Sequence, residues 1–150
     1  MSRTFFTDRD LGKRFPAILL EAGILVEQHC DHFAANARDD EWLPAVGAKG
    51  WIVLTHDKRI RYKVNECAAV MAHDVGMLVI IGAAPYPDLA HSFVATYPRI
   101  EAFLDTVRRP FIAKVYRATA GDLSKNPAAP GRVELWLSRE DWQRNRSGTG

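Results

Sequence analysis

Aspartates stand at the ends of two apolar runs. Phe5 and Phe6 are followed by Thr7 and Asp8, and the run WIVLT that ends in Thr55 is followed by His56 and Asp57. A third acidic group, Asp39, Asp40 and Glu41, precedes Trp42, Leu43 and Val46. Oxygen-bearing side chains gathered on one rim are the donors that hard divalent cations such as Mg²⁺ or Mn²⁺ take, with several waters retained. Such a cluster of like charges is costly unless a cation neutralises it. A cation there activates a water and stabilises an in-line displacement at phosphorus. Each aspartate alone has a plainer reading, because Asp is common at strand ends. As an N-cap, Asp39 or Asp40 is worth about 1 kcal/mol. What separates the two readings is whether the three segments reach the same edge.

The elements that must bring them there follow from periodicity. Leu11, Phe15, Ile18, Leu19 and Ala22 fall on one face of a helix, with Pro16 near its first turn and Gly23 at its end. Residues 24–27 read as a buried strand and 31–37 as a loop or short helix. A second helix opens at Asp39 or Asp40 and is stopped by Gly47 or Gly50. Residues 51–55 are the clearest strand. Ile60, Val64, Cys67, Ala68 and Met71 mark a third helix, and 77–81 a further strand. Residues 86–107 read as helical, broken near Pro98. Two strands, 111–116 and 133–137, flank a Gly/Pro-rich loop, and the chain from Trp142 onward reads as frayed and polar. This alternation predicts a three-layer α/β/α domain with a mainly parallel central sheet and a C-terminal β-hairpin. Sheets of that kind bind ligands beyond the carboxyl ends of their strands. Asp8, Asp57 and the N-terminus of the second helix all belong to that edge.

The segments FFTDRDLGKRFPAILLEAGI, ARDDEWLPAVGAKGWIVLTHDKRI and MLVIIGA, in that order, resemble a PIN-like nuclease domain, with the nearest likeness among VapC-type toxins. The resemblance rests on Asp8 three residues before Leu11, on Asp40-Glu41 before Trp42-Leu43, and on Thr55-His56-Asp57. It covers residues 4–82, and the fold likeness runs to about 117. It implies a metal-dependent endoribonuclease, the toxin of a toxin–antitoxin pair, with RNA as substrate and a cognate antitoxin as partner. Asp8, Asp40 and Asp57 become the catalytic, metal-holding carboxylates, with Glu41 a substitute for Asp40 and Mg²⁺ or Mn²⁺ as cofactor. Such sites often hold a fourth acid, which has no clear match here. Asp10, Asp31 and Asp74 qualify by type alone. Asp8-Arg9-Asp10 equally resembles the nucleophile pair of a haloacid-dehalogenase-like phosphatase, though no acidic pair follows residues 77–81. A receiver domain phosphorylated on Asp57 and a catalytically inactive PIN-like binding module complete the alternatives.

Lys58, Arg59, Arg61 and Lys63 follow Asp57 directly. They read either as phosphate contacts for RNA or as a solvated helix face. Thr55 reads either as a hydrogen-bonding member of the acidic site and its substrate or as a cap. His29, Cys30, Asp31 and His32 are zinc-competent in type, but no second ligand pair accompanies them. The four tryptophans read as core or interface anchors rather than base platforms.

Composition limits the rest. With 150 residues, 47% hydrophobic and 25% charged, the chain suits one domain and excludes a disordered or collagen-like class. We assign residues 1–138 to the domain, with its core at 4–117, and 139–150 to a polar tail. Two cysteines are too few for a disulfide framework and read as buried thiols in a reducing compartment. The N-terminus lacks a signal-peptide pattern, and the longest apolar stretch, 77–85, falls short of the ~20 residues of a membrane span. A cytoplasmic location without membrane contact is expected, and a homodimer is one assembly open to it. The net charge of +2 does not by itself select a nucleic-acid partner.

Overall fold

The computed structural model of the chain describes residues 3–60 and 63–147. Six strands, β1 (Thr4–Thr7), β2 (Leu25–Gln28), β3 (Ile52–Thr55), β4 (Gly76–Ile81), β5 (Phe111–Tyr116) and β6 (Arg132–Ser138), form one sheet in the order β2-β1-β3-β4-β5-β6. All neighbours are parallel except β5 and β6, which run antiparallel as the hairpin reading anticipates. Among the described residues six α-helices accompany them: α1 (Arg14–Glu21), α2 (Asp39–Lys49), α3 (Val64–Ala72), α4 (Tyr86–Thr106), α5 (Ala120–Lys125) and α6 (Arg139–Ser147). No helix of the described residues is long and apolar enough to cross a membrane.

The three layers follow from the period-2 alternation of the strands. Phe5, Leu54, Leu78, Ile80 and Phe111 face one side, where they pack with Phe15 and Leu19 of α1 and Phe93 and Ile100 of α4. Phe6, Val53, Met77, Val79 and Ile112 face the other, against Trp42, Leu43 and Val46 of α2 and Cys67 and Val70 of α3. β1, β3, β4 and β5 are thus apolar on both sides, as a buried parallel sheet requires, while the edge strands β2 and β6 carry polar and exposed residues. α2 lies close to the chain before β4. A Cβ on Gly47 would stand 2.2 Å from the His73 carbonyl oxygen, so only glycine permits that approach.

Three details depart from the periodicity. α4 runs unbroken through Pro98, because Phe93, Thr96, Ile100 and Leu104 bury one continuous face on both sides of it. Thr96 Oγ1 also accepts from Gly131 N at 2.9 Å, which ties the helix to the segment entering β6. The Gly/Pro-rich loop contains the short helix α5, capped by Thr119, whose Oγ1 accepts from Asp122 N. The end of the chain forms α6 rather than a frayed tail, and Trp142 packs against the α2/α3 side of the core. Of the two thiols expected to be buried, Cys67 is, donating to the Ile60 carbonyl at 3.0 Å, whereas Cys30 is exposed.

The order of the strands decides where chemistry belongs. After β1 the chain steps to one side to form β2, then crosses back to form β3 on the other. β1 and β3 are therefore neighbours at the point where the winding reverses, and a crevice opens beyond their carboxyl ends.

Candidate active site

Asp8 ends β1 and caps a single 3-10 turn, Arg9–Leu11. Its backbone N–H donates to Leu54 O at 3.0 Å, which fixes it against β3. Its Oδ1 accepts from Arg9 N at 2.7 Å. The turn brings Asp10 back over the end of β3. There Asp10 Oδ2 accepts from Thr55 Oγ1 and from His56 N, both at 3.0 Å. Thr55 is 2% exposed, and its hydroxyl also lies 3.4 Å from Asp8 Oδ2 and accepts from Asp57 N at 3.3 Å. The threonine expected either to cap or to serve the acidic site does both. One buried hydroxyl organises three aspartates, and the D-x-D spacing exists because a 3-10 turn folds the second carboxylate onto the first.

Asp39 comes from the first turn of α2, and its Oδ1 accepts from Trp42 Nε1 at 3.0 Å. Asp8, Asp10, Asp39, His29 and Trp42 border one cavity of about 340 Å³. The acid of α2 that faces Asp8 is thus Asp39 and not Asp40. Asp40 is 55% exposed in its side chain and pairs with Arg38 at 2.9 Å on the surface, and Glu41 is exposed. Helical period explains the choice. Asp39, Trp42, Leu43 and Val46 lie at i, i+3, i+4 and i+7 on the buried face, and Asp40 is turned about 100° away. The same arithmetic applied to the sequence would have selected Asp39.

Asp57 sits on the opposite flank. Its Oδ1 accepts from Arg59 N at 3.0 Å and its Oδ2 from Lys63 Nζ at 2.5 Å. Asp10, His56, Asp57, Lys58 and Arg59 border a second cavity of about 610 Å³, so Asp10 belongs to both. His56 Nδ1 lies 2.9 Å from Ile80 O and must donate to that carbonyl, which leaves Nε2 as the acceptor of the neutral ring. Lys58 and Arg59 are exposed beside the acids, which suits a phosphate contact and a solvated face alike. Arg61 lies outside the described residues. Of the three acids considered only by type, Asp10 is in the site. Asp31 is exposed, and Asp74 lies near Arg109 and Arg139 at 3.9 and 3.7 Å.

Glu66 of α3 is an acid that sequence reasoning missed. Its carboxyl group stands beside that of Asp39, and its Oε2, buried without a hydrogen-bond partner among the described residues, lies 3.7 Å from Lys63 Nζ. Its position four residues before buried Val70 was the available signal.

The electrostatics divide these acids. Burial, then the charge of Asp10, raises the Asp8 pKa to about 6. Burial also raises that of Asp10, against the hydrogen bonds from Thr55 and His56. Glu66 is raised to about 7, first by burial and then by its contact with Asp39. For Asp57, burial acts upward too, but Lys63, Arg59 and their hydrogen bonds outweigh it and its pKa is lowered. His29 is held below the usual imidazole range, chiefly by burial and by Arg9.

A metal fits this donor set in its chemistry. Asp10 Oδ1 is buried without a hydrogen-bond partner, beside Asp8 and Asp39, and all three supply hard oxygen. Among the described residues, no three Asp, Glu, His or Cys side chains are grouped closely enough to enclose an ion unaided. Water would complete the coordination, as it does for Mg²⁺ generally.

A family model described as a PIN-like domain matches residues 3–82, more than half of the chain. That span runs from β1 through β4 and contains every acid of the site. Comparison with curated proteins and with solved structures gives no match.

Proposed function

The chain belongs to the PIN-like domain family, whose members are typically nucleases that use divalent metal ions, and from that premise we propose that it is a metal-dependent endoribonuclease. The observation that carries the reading is the set Asp8, Asp10 and Asp39 at the reversal of the sheet, with a buried, unpartnered Asp10 oxygen and a raised Asp8 pKa. These groups are destabilised as they stand, and a divalent cation removes the cost.

Asp8, Asp10 and Asp39 would hold Mg²⁺ or Mn²⁺, with Glu66 supporting Asp39. The cation, when bound, supplies an activated water and neutralises charge that develops on the phosphate. The chain's own groups do the positioning. Thr55 fixes the Asp10 carboxylate, and Trp42 fixes that of Asp39. Lys58 and Arg59 offer cations to the phosphates of a strand laid across the rim. His56 Nε2, an acceptor in the neutral ring, is the group beside them able to take a proton. Asp57 holds Lys63 in place and contributes negative charge next to Asp10.

The likeness to VapC-type toxins extends the reading to a cytoplasmic toxin neutralised by a cognate antitoxin. Cleavage of a labelled single-stranded RNA pool, with EDTA and a phosphomonoester substrate as controls, tests the activity. EDTA-sensitive cleavage that Asp10→Asn abolishes is expected, and EDTA-insensitive cleavage would overturn the proposal. Turnover of the phosphomonoester alone would point to a phosphatase acting through Asp8. Growth arrest on induction in a bacterial host tests the toxin role.

A further inference from the structure

We infer that a cavity beside the acidic rim seats a nucleobase of the RNA strand, so that this chain reads a base next to the phosphate it cuts. The inference rests on the nuclease reading above. The cavity measures about 550 Å³ and lies between the end of β1 and the segment that follows β2, within the size range of small-molecule sites. It adjoins the acidic cavity, since Asp8, Arg9 and His29 border both.

Its walls suit a base. Phe33 is half-buried and braced from two sides, edge-on by Phe6 with centroids 6.0 Å apart and by His29 at 5.5 Å. Single-stranded RNA is recognised where unpaired bases stack on such aromatic faces and hydrogen-bond through their edges. The Gln28 amide supplies both a donor and an acceptor. His29 is 2% exposed, and its Nδ1 has no hydrogen-bond partner among the described residues. A buried nitrogen left unmatched calls for a partner, and none of the described residues supplies one. Arg9 and Lys13 are exposed and border the cavity, as contacts for the adjoining phosphates would be. Asp8 disfavours an anionic group inside it, so the base enters and its phosphate stays on the rim.

The test has two arms. In the first, the four nucleoside 5′-monophosphates are titrated in EDTA while backbone amides are followed by NMR. Saturable shifts at Gln28, Phe33 and Ala34 are expected, with one base preferred. Phe33→Leu, which keeps bulk but loses the stacking face, should weaken binding roughly tenfold. Ala34→Trp, on an exposed position, should block it while leaving the melting temperature unchanged. In the second arm, a randomised RNA is cleaved with Mn²⁺. The wild type should show a base preference at one position beside the cut, flattened by Phe33→Leu and by Ala34→Trp.

Absence of amide shifts and of any base preference would overturn the inference and leave the nuclease standing. Nucleotide binding with a cleavage preference that neither variant alters would also overturn it, and would mark a free-nucleotide site instead. Failure of the wild type to cut any RNA would sink the nuclease reading, and this inference with it.

Discussion

The two flanks of the acidic rim use the same side chain in opposite electrostatic settings. On the Asp8 flank, Asp8, Asp10, Asp39 and Glu66 stand near one another, and among the described residues their one ion pair is that of Glu66 Oε2 with Lys63 Nζ at 3.7 Å. On the Asp57 flank, the carboxylate is already matched by Lys63 at 2.5 Å and by Arg59. The first flank carries raised pKa values and the second a lowered one. A carboxylate that is a strand-end residue in each case therefore has two fates. One is stored as an uncompensated charge that a divalent cation can neutralise. The other is spent on holding a lysine beside the site. Chain position alone does not distinguish them, and the neighbour that folding supplies does.

The largest effect should come from the uncompensated flank. Asp8→Asn keeps the shape and the bond from Arg9 N but removes the charge, and the cleavage rate should fall by about a hundredfold or more at saturating Mn²⁺. The matching Asp57→Asn should cost less if Asp57 acts by positioning Lys63, and equal losses in the two variants would break the contrast.

Next comes the choice within α2. Asp39→Asn keeps the bond from Trp42 and should weaken Mn²⁺ binding about tenfold. Asp40→Asn only removes a surface pair with Arg38, worth about 0–1 kcal/mol, and should leave binding within roughly twofold. Calorimetric titration of both variants decides it, and a larger loss in Asp40→Asn would restore Asp40 as the ligand.

The third effect is in pH. Asp8 and Glu66 hold protons more tightly folded than unfolded, so the folded state binds more protons between pH 4 and 7. Stability of the metal-free protein should fall as pH rises through that window, by on the order of 2 kcal/mol after allowance for partial exposure. Asp57 acts in the opposite sense and loses its contribution only as pH falls below its ordinary range. Denaturant midpoints measured in EDTA from pH 4 to 8 test this, and Asp8→Asn should flatten the slope. A midpoint that rises steadily to pH 7 would contradict the division of the flanks.

The smallest effect concerns Lys63. Lys63→Gln should cost at most about 1 kcal/mol of stability, since the pair is partly exposed. It should release Asp57 upward toward the ordinary carboxylate range, and a carboxyl ¹³C titration reads that directly.

The sequence by itself determined the layers and the edge that bears the chemistry. The residues of β1, β3 and β4 are apolar in alternation on both faces, so the sheet had to be parallel and buried. Residues with one apolar face at period 3.6 had to cover it. The strand-end positions of Asp8 and Asp57 followed at once, because chain polarity fixes the carboxyl edge. The side of α2 that carries its acid was also present in the spacing of Asp39 from Trp42. Three things depended on tertiary structure. The reversal of strand order put β1 beside β3, and so Thr55 beside Asp8 and Asp10. Packing of one buried face across Pro98 kept α4 whole against the local preference for a break. The folded partners, Lys63 for Asp57 and Asp10 for Asp8, set the charge balance of each acid. Periodicity records how a residue faces the core, but a carboxylate's pKa depends on what stands within a few ångströms of it, and that is set by how the chain turns after each strand, which brings Asp10 to Asp8 and Lys63 to Asp57, and by which strand lies alongside, which brings Thr55 to both Asp8 and Asp10.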